Sequence, residues 1–443
     1  MFILRNILSP LQQEFKHRCK GDERGVWFVY TLLAVITHFT SSRSANLLRC
    51  LQTLFGLSLS QRRFYIFMAS SKLPWSRLWT TLWSLIPSPM TAGRLLLALD
   101  DYINPKTGKK IFGCASFFDH AAKTNQSEYP WAQNVVSIGL LKIVKGRWAC
   151  LPLAFRFYHM KKTIDAGKIK INGKAPSFQT KHAQAVEMLS KISAAFHDAP
   201  LLVVTDSWFG NNGLFKPMHK VVGQHTHILS RLRVNTTLFA PPPKRRKHQL
   251  GRSKKYGDKM GNATSLASEF QKHAATYSVN LYGKQRDVVA FDNIMMLKTL
   301  KCTVRVVWVY RRSQWVALFT TDLDLTVEQI IEYYGARWKI EAGFKEVKQE
   351  IGSSKSQTRN YHAVTNHLNF CMMAATVTWI YADHLDHTPQ RCYAVNNRAH
   401  FAFSDVRKLI TQTALDKNFA AVFPRPVNLA QNSFISALLR MVA

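Results

Sequence analysis

The chain has 443 residues, of which 47% are hydrophobic and 12% aromatic, and this composition excludes a disordered protein. Its 60 lysines and arginines against 26 aspartates and glutamates give a formal net charge of +34, which favours a polyanion as the binding partner. The seven cysteines form no C-x-x-C pair, which argues against a zinc ribbon or a disulfide scaffold and indicates a reducing compartment.

Residues 1–90 are predicted to form a small helical domain. Hydrophobic residues recur at helical spacing over 32–36 and 47–54, and arginines and serines lie between the two groups. The first residues lack the ordered regions of a signal peptide, and the apolar stretch 26–40 is short for a membrane span, so we expect a buried helix and a cytoplasmic location. These helices could bind DNA through basic faces, or they could only cap the rest of the chain.

Two short apolar runs in residues 91–234 predict buried strands, and both end in an aspartate. The run 95–99 leads directly into Asp100 and Asp101, and the run 200–205 leads into Asp206. The chain between them contains strand-like and helical segments, respectively 135–155 and 183–195.

Residues 235–320 are predicted to form a β-rich insertion that carries a basic loop. Three prolines precede a dense run of cations, which is usually a solvated loop: Lys244, Arg245, Arg246 and Lys247. Strand-like segments follow at 277–282, 288–291 and 304–310. Helical patterning resumes over 326–350, within a segment that we place at 321–375, and residues 376–443 are expected to be a helical region.

The order of these elements predicts an α/β protein with a ribonuclease-H-like catalytic core. Two buried strands each present an aspartate at the carboxyl end, and a helix rich in glutamate and lysine follows later. In-line displacement of a phosphodiester oxygen uses two metal ions about 3.5–4 Å apart, and Mg²⁺ prefers carboxylate oxygens as ligands. The core would comprise residues 91–234 and 321–375, with the β-rich insertion between them and helical regions at both ends.

The predicted helix near residue 340 combines a carboxylate with cations and a tyrosine. At about 100° per residue, one face carries Tyr334, Arg337, Glu341, Lys345 and Lys348. Such a face would hold a metal ion and grip the phosphates beside a scissile bond. Taken alone, the segment could also be an ordinary exposed amphipathic helix.

The spacing Tyr-x2-Arg-x3-Glu-x6-Lys resembles the Y-R-E-K signature of bacterial insertion-sequence DDE transposases, the IS-four-like superfamily that includes the Tn-five transposase. The residues that meet the signature are Tyr334, Arg337, Glu341 and Lys348. The segment Asp-Ser-Trp-Phe from Asp206 is similar to the second-aspartate block of these enzymes. The segment Asp-Asp-x4-Lys-x-Gly from Asp100 is similar to the first block, and the resemblance covers residues 95–370.

The resemblance implies a DNA transposase that cuts insertion-sequence ends and transfers them into target DNA. Three carboxylates would bind two Mg²⁺ or Mn²⁺ ions and carry out catalysis: Asp100, Asp206 and Glu341. Side chains of the same helix would hold the DNA phosphates: Tyr334, Arg337, Lys345 and Lys348. The implied partners are double-stranded DNA, as terminal inverted repeats and as target, and a second copy of the chain in the DNA complex, at the nucleoid.

Two further DNA contacts follow from the resemblance and from the charge. Trp338 and Trp315 match tryptophans on which family members stack a flipped base, although either could be a core residue. The cations of the basic loop would hold end DNA together with the N-terminal domain, with an affinity that falls as salt rises: Lys244, Arg245, Arg246 and Lys247.

The first metal ligand is either Asp100 or Asp101. The positions of Pro105 and Lys106 favour Asp100, whereas alignment of the preceding apolar run favours Asp101. Neighbouring residues on a strand point to opposite faces, so only one of the two is expected to face the metals. We predict Asp100.

Three other functions fit part of the sequence. A nuclease or resolvase of the same fold would cut DNA without joining strands. A catalytically silent DNA-binding descendant would lack one of the three catalytic carboxylates, and none of them is missing here. A ribosome-associated or membrane-associated basic protein would make the Y-R-E-K spacing an accident, which four fixed positions argue against. The pair His384 and His387 has no partner pattern that indicates a metal site.

Overall fold

The computed structural model describes residues 2–17, 20–37, 41–119, 122, 124–243, 251–312, 314–393, 395 and 400–423. The four cations predicted to form the basic loop lie outside these described residues: Lys244, Arg245, Arg246 and Lys247. The protein is a mixed α/β structure in which strands of one continuous sheet lie between helices at the two ends of the chain.

The α-helices are α1 (Ile3–Gln13), α2 (Gly21–Thr37), α3 (Ser44–Thr53), α4 (Gln61–Met68), α5 (Trp75–Ser84), α6 (Lys161–Asp165), α7 (Lys181–Ala195), α8 (Asn212–Val221), α9 (Ala263–Phe270), α10 (Val327–Lys345), α11 (Tyr361–His384), α12 (Phe403–Ala414) and α13 (Lys417–Val422). The strands are β1 (Leu95–Pro105), β2 (Ala115–Ser116), β3 (Trp131–Val144), β4 (Arg147–Tyr158), β5 (Leu201–Thr205), β6 (Thr226–Arg231), β7 (Thr237–Phe239), β8 (Lys259–Asn262), β9 (Ala275–Leu281), β10 (Lys284–Leu297), β11 (Cys302–Arg311) and β12 (Gln314–Thr320).

One end of the sheet has the spatial order β4–β3–β1–β5–β6. Strand β1 is antiparallel to β3 and parallel to β5, and β5 is parallel to β6. Residues 95–99 and all of β5 are buried, which confirms the two predicted buried strands. Strand β1 does not end before Asp100 as predicted but continues through it to Pro105, paired with β3. Because β1 and β5 run parallel, with Leu99 opposite Thr205, Asp100 within β1 and Asp206 directly after β5 lie side by side.

The predicted insertion extends the same sheet instead of forming a separate one. Strand β12 pairs with β6 in antiparallel register, and the sheet continues through β11, β10, β7 and β8, with β9 on β10. The strand-like segments predicted in this part of the chain are confirmed as β9, β10 and β11. Pairing with β12 satisfies the backbone groups of β6, which would otherwise be an open sheet edge.

Helix α10 has a well-defined start and a close neighbour in β9. Thr326 Oγ1 accepts a hydrogen bond from the backbone N–H of Gln329, and Gln329 Oε1 accepts one from the backbone N–H of Thr326. This capping box begins the helix. A π-helical turn, Glu346–Glu350, continues it. A Cβ at Gly335 would lie 2.6 Å from Leu281 Cδ2 of β9, so a glycine at this position lets the strand approach the helix.

The helices at the two ends of the chain share one hydrophobic core. Helix α2 is a buried helix, as predicted, and packs on α11 and α12. The ring of Phe370 in α11 lies 5.1 Å from the rings of both Phe28 and Trp75, measured between centroids. Helix α11 runs through residue 375, where the sequence suggested a boundary, and the division into domains stays a prediction. Across the described ranges, none of the helices combines the length and apolar character needed to cross a bilayer.

Candidate active site

A tight turn after β5 holds Asp206. The backbone N–H groups of Trp208 and Phe209 both donate to Asp206 Oδ1 at 3.0 Å, which fixes the direction of the carboxylate. Ser230 Oγ of the neighbouring strand donates to the carbonyl oxygen of Asp206 at 2.7 Å. A Cβ on Gly210 would clash with the hydroxyl of Ser230, so this turn requires a glycine.

One guanidinium joins two of the three predicted catalytic carboxylates. Arg337 donates from Nη1 to Asp100 Oδ2 and from Nη2 to Glu341 Oε1, each at 3.1 Å. Burial, together with the negative charge of Asp206, raises the pKa of Asp100 to about 7, although Arg337 acts in the opposite direction. The structure therefore brings together the carboxylates of Asp100, Asp206 and Glu341, from three separate elements.

Asp101 points to a different set of partners from its neighbour Asp100. Its Oδ2 accepts hydrogen bonds from Lys181 Nζ at 2.8 Å and from Asn134 Nδ2 at 2.7 Å. The alternation of side chains along a strand explains why the two aspartates have separate surroundings. The side chain of Asp101 thus binds to residues of α7 and β3, whereas that of Asp100 binds to a residue of α10.

Two more residues of the predicted phosphate-binding face lie close to the carboxylates or to β1. The ring centroid of Tyr334 lies 5.6 Å from the Arg337 guanidinium carbon, and burial raises the pKa of its hydroxyl. Lys348, in the π-helical turn, has its Nζ 5.4 Å from the ring centroid of Tyr102 in β1. Burial lowers the pKa of Lys348.

The sequence analysis gave no role to Lys106, which follows β1. Its Nζ donates to the backbone carbonyls of Ser353, Ser354 and Ser356 at 3.0–3.2 Å, and burial lowers its pKa to about 8. These bonds tie the end of the strand that carries Asp100 to the segment that follows α10. The Lys-x-Gly pattern of the first block marked this residue, but its partners lie about 250 positions away in the sequence.

Trp338 and Lys345 line a cavity of about 1040 Å³ beside Glu341. Trp338 is 57% exposed, so its indole faces this space instead of filling the core. Several cations surround the same cavity: Arg147, Lys284, Lys339 and Arg391. Trp315, in β12, is half-buried against the hydrophobic core, and the structure places it apart from the cavity lining.

The donor set is suitable for divalent metal ions, although its members are separated by a cation. Within the described ranges, no three His, Cys, Asp or Glu side chains stand in a metal-binding arrangement, and His384 with His387 gives none either. The guanidinium of Arg337 lies between Asp100 and Glu341, where it neutralises their charge. Partly buried carboxylate oxygens that need a cation fit the ligand preference of Mg²⁺.

Comparison with known families gives two matches along the chain, which overlap at residues 283–288. Residues 26–288, more than half of the chain, match the family model described as "DDE superfamily endonuclease". Residues 283–381 match a second family model, described as "Archaeal putative transposase ISC1217". The first match contains Asp100 and Asp206, and the second contains Glu341. No curated protein matches the chain.

Proposed function

The chain belongs to the DDE superfamily of endonucleases, and we propose that it is an insertion-sequence transposase that cuts element ends and joins them to target DNA. The observation that carries this proposal is the approach of Asp100, Asp206 and Glu341 to one another around Arg337. Three carboxylates from separate elements at one sheet edge suit two-metal phosphodiester chemistry.

We assign strands β4, β3, β1, β5 and β6, together with α10, to a ribonuclease-H-like core. The support is the placement of Asp100 near the end of the buried part of β1, of Asp206 directly after β5, and of Glu341 on α10, which packs against β1 and β5. The Y-R-E-K spacing on α10 supports placing the chain in the IS-four-like superfamily.

Asp100, Asp206 and Glu341 would hold two Mg²⁺ or Mn²⁺ ions, which when bound supply an activated oxygen nucleophile and stabilise the leaving oxygen. Asp100 is the better first ligand because it lies on the side of Arg337 and Glu341, whereas Asp101 faces Lys181 and Asn134. Before metal binding, Arg337 neutralises the charge of Asp100 and Glu341. Once the metal ions are bound, its guanidinium N–H groups would donate to a DNA phosphate instead.

The remaining residues of this face would position DNA along α10. Tyr334 and Lys348 flank the carboxylates, and Lys345 lies on the cavity side. The net charge of +34 predicts binding that weakens steeply with salt, and work on two element ends implies a dimer in the DNA complex at the nucleoid.

Trp338 is suited to stack a base that leaves the duplex during cleavage. Its exposed indole lines a cavity of about 1040 Å³ beside Glu341, with cations around it for the backbone. Stacking on an aromatic ring offsets part of the cost of flipping a base. Trp315 packs against the hydrophobic core, which favours a role as a core residue over a role in base stacking.

The proposal is tested by Mg²⁺-dependent cleavage of a labelled duplex that carries the DNA flanking this gene. We expect a cut at one defined position, lost in Glu341→Gln while DNA binding stays within about twofold, because this substitution removes a metal ligand and keeps the shape. The matched control is Glu328→Gln, on the same helix but about 20 Å away along its axis. A Glu341→Gln variant that still cuts would remove Glu341 from the site.

The alternatives are a nuclease that cuts without joining and a catalytically silent DNA-binding descendant. Pre-cut ends with and without a 3′-hydroxyl, incubated with a target plasmid, separate them from a transposase. A joined product that requires the 3′-hydroxyl supports transposition. Cutting without joining indicates the nuclease, and salt-sensitive binding without cutting indicates the silent descendant.

A further inference from the structure

A group of four aromatic rings and one lysine lies beside the carboxylates, on the side of Asp101. We call it the aromatic platform, and it consists of Tyr158, Phe178, Lys181, His182 and Trp208. His182 stacks on Trp208 with ring centroids 4.8 Å apart and an angle of 13° between the planes. Lys181 Nζ lies 5.3 Å from the ring centroid of Tyr158 and 5.2 Å from that of Trp208, and Phe178 meets Tyr158 edge to face. These contacts hold the rings in place as one surface.

Two of these rings lie outside the core. Trp208 is 43% exposed and Phe178 is 38% exposed, whereas the neighbouring Phe209 in the same turn is only 1% exposed. One turn therefore places one ring in the core and presents another to solvent. Large aromatic surface held at a fixed orientation outside the core is typical of a binding site.

The charges within the platform indicate what kind of group it would bind. The one lysine of the platform already donates to Asp101 at 2.8 Å, so its charge is matched inside the protein. The platform consequently offers ring faces more than positive charge. A flat aromatic group suits this surface better than a phosphate does.

The position of the platform relative to the carboxylates indicates which aromatic groups could reach it. The backbone N–H of Trp208 donates to Asp206, and Lys181 contacts Asp101, the neighbour of Asp100. DNA whose phosphate lies at the carboxylates would thus place its adjoining bases near the platform. The residues that line the Trp338 cavity are a different set.

We propose that the aromatic platform stacks unpaired bases of the DNA strand next to the scissile phosphate, as a second base-binding surface distinct from the Trp338 cavity. The inference rests on the proposed function, since it takes DNA to be the substrate. Stacking on aromatic side chains tolerates any sequence because every base has a π face. The platform would therefore favour opened DNA over paired DNA without selecting a sequence.

The test compares Trp208→Leu, which keeps apolar bulk without an aromatic face, with Trp208→Phe, which keeps a ring. Binding is measured by fluorescence anisotropy in EDTA, on element-end DNA whose bases beside the cut are either paired or mismatched. We expect Trp208→Leu to weaken binding of the mismatched DNA about tenfold and binding of the paired DNA less than twofold, with Trp208→Phe close to wild type. Equal losses on both DNAs would overturn the proposal.

A second measurement reports on the stacking of the base itself. With 2-aminopurine beside the cut, wild-type protein should lower the fluorescence of the mismatched DNA, and Trp208→Leu with an unchanged circular dichroism spectrum should not. If wild type cuts DNA but neither measurement responds to Trp208, the platform is wrong and the transposase proposal stands. If wild type neither binds nor cuts element-end DNA, both proposals are wrong.

Discussion

At the scale of single residues, the central feature is an arginine placed where a metal ion would be expected. The side chains of Arg337 and Asp100 are only 11% and 19% exposed, so their ion pair is poorly screened by solvent. Under the proposed function, a divalent cation would compete with this guanidinium for Asp100 and Glu341. Arg337 would then stabilise the metal-free protein and oppose metal binding.

We expect Arg337→Ala to lower the melting temperature without divalent metal by on the order of 5 °C, because it leaves two carboxylates without their counter-ion. Added Mg²⁺ should then raise the melting temperature of the variant by more than it raises that of wild type. Thermal unfolding with and without Mg²⁺ measures both effects, and Arg337→Lys, which keeps the charge, serves as the control. A smaller Mg²⁺ response in the variant would contradict this competition.

A second residue-scale feature is the buried carboxyl of Glu346, in the π-helical turn. Trp379 Nε1 donates to its Oε2 at 3.1 Å, and the charges of Arg147, Glu350 and Lys339 also act on it. Burial raises the pKa of Glu346 from 4.5 to about 8. Between these two values the unfolded chain has lost this proton and the folded chain keeps it, so the free energy of unfolding falls as the pH rises from about 4.5 to about 8.

Replacing this carboxyl by an amide removes that pH-dependent cost. Glu346→Gln should raise the melting temperature at pH 8 by roughly 2–4 °C and change it little near pH 4.5, where only about half of the unfolded chains have lost this proton. The measurement is a series of thermal melts of the two proteins from pH 4.5 to pH 8.5. A difference that is constant over this range would show that Glu346 does not titrate in this window.

At the scale of elements, the sequence predicted the strands and helices that a local pattern of apolar residues determines. The apolar runs before Asp100 and Asp206 predicted β1 and β5, and helical spacing predicted α7 and α10. These predictions were possible because consecutive residues along the chain carry the pattern of burial and its period. Pairing of β12 with β6 could not be predicted in this way, since the two strands lie about 90 residues apart in the chain. The bonds from Lys106 to residues 353–356 are longer-range still.

The contact made by Lys106 gives a prediction about how β1 and the end of α10 are held together. Lys106→Met should leave three backbone carbonyls without their donor and lower the free energy of unfolding by about 1–3 kcal/mol. Because Asp100 and Glu341 lie on the elements joined, cleavage should fall more than DNA binding does. Denaturant unfolding and the cleavage assay measure the two effects.

Lys106→Arg provides the matched control for this position. It keeps a positive donor and should recover part of both the stability and the cleavage. If Lys106→Met loses stability but cleaves at the wild-type rate, the residue supports the fold without positioning the carboxylates.

At the scale of the whole molecule, helices from both ends of the chain enclose one core. The sequence predicted helices in residues 1–90, and the structure has α1 to α5 there, but their packing partner α11 lies about 300 residues later. Trp79 Nε1 donates to Asn369 Oδ1 at 2.8 Å, and Trp75 Nε1 donates to Asn366 Oδ1 at 2.7 Å. Such long-range packing leaves no periodic signal in a single sequence, so the choice between a DNA-binding unit and a cap stays open there.

This packing predicts that residues 91–443 do not fold by themselves. Removing residues 1–90 would expose the apolar face of α11, including Phe370, whose truncation to alanine in the full chain should cost about 3–5 kcal/mol. We expect the fragment to aggregate and to show no cooperative thermal transition, in contrast to the full chain measured side by side by size-exclusion chromatography and circular dichroism. A monomeric fragment with a cooperative melt would instead show that residues 91–443 fold without residues 1–90. The difference in salt-dependent DNA binding between the fragment and the full chain would then measure the DNA contacts that residues 1–90 supply.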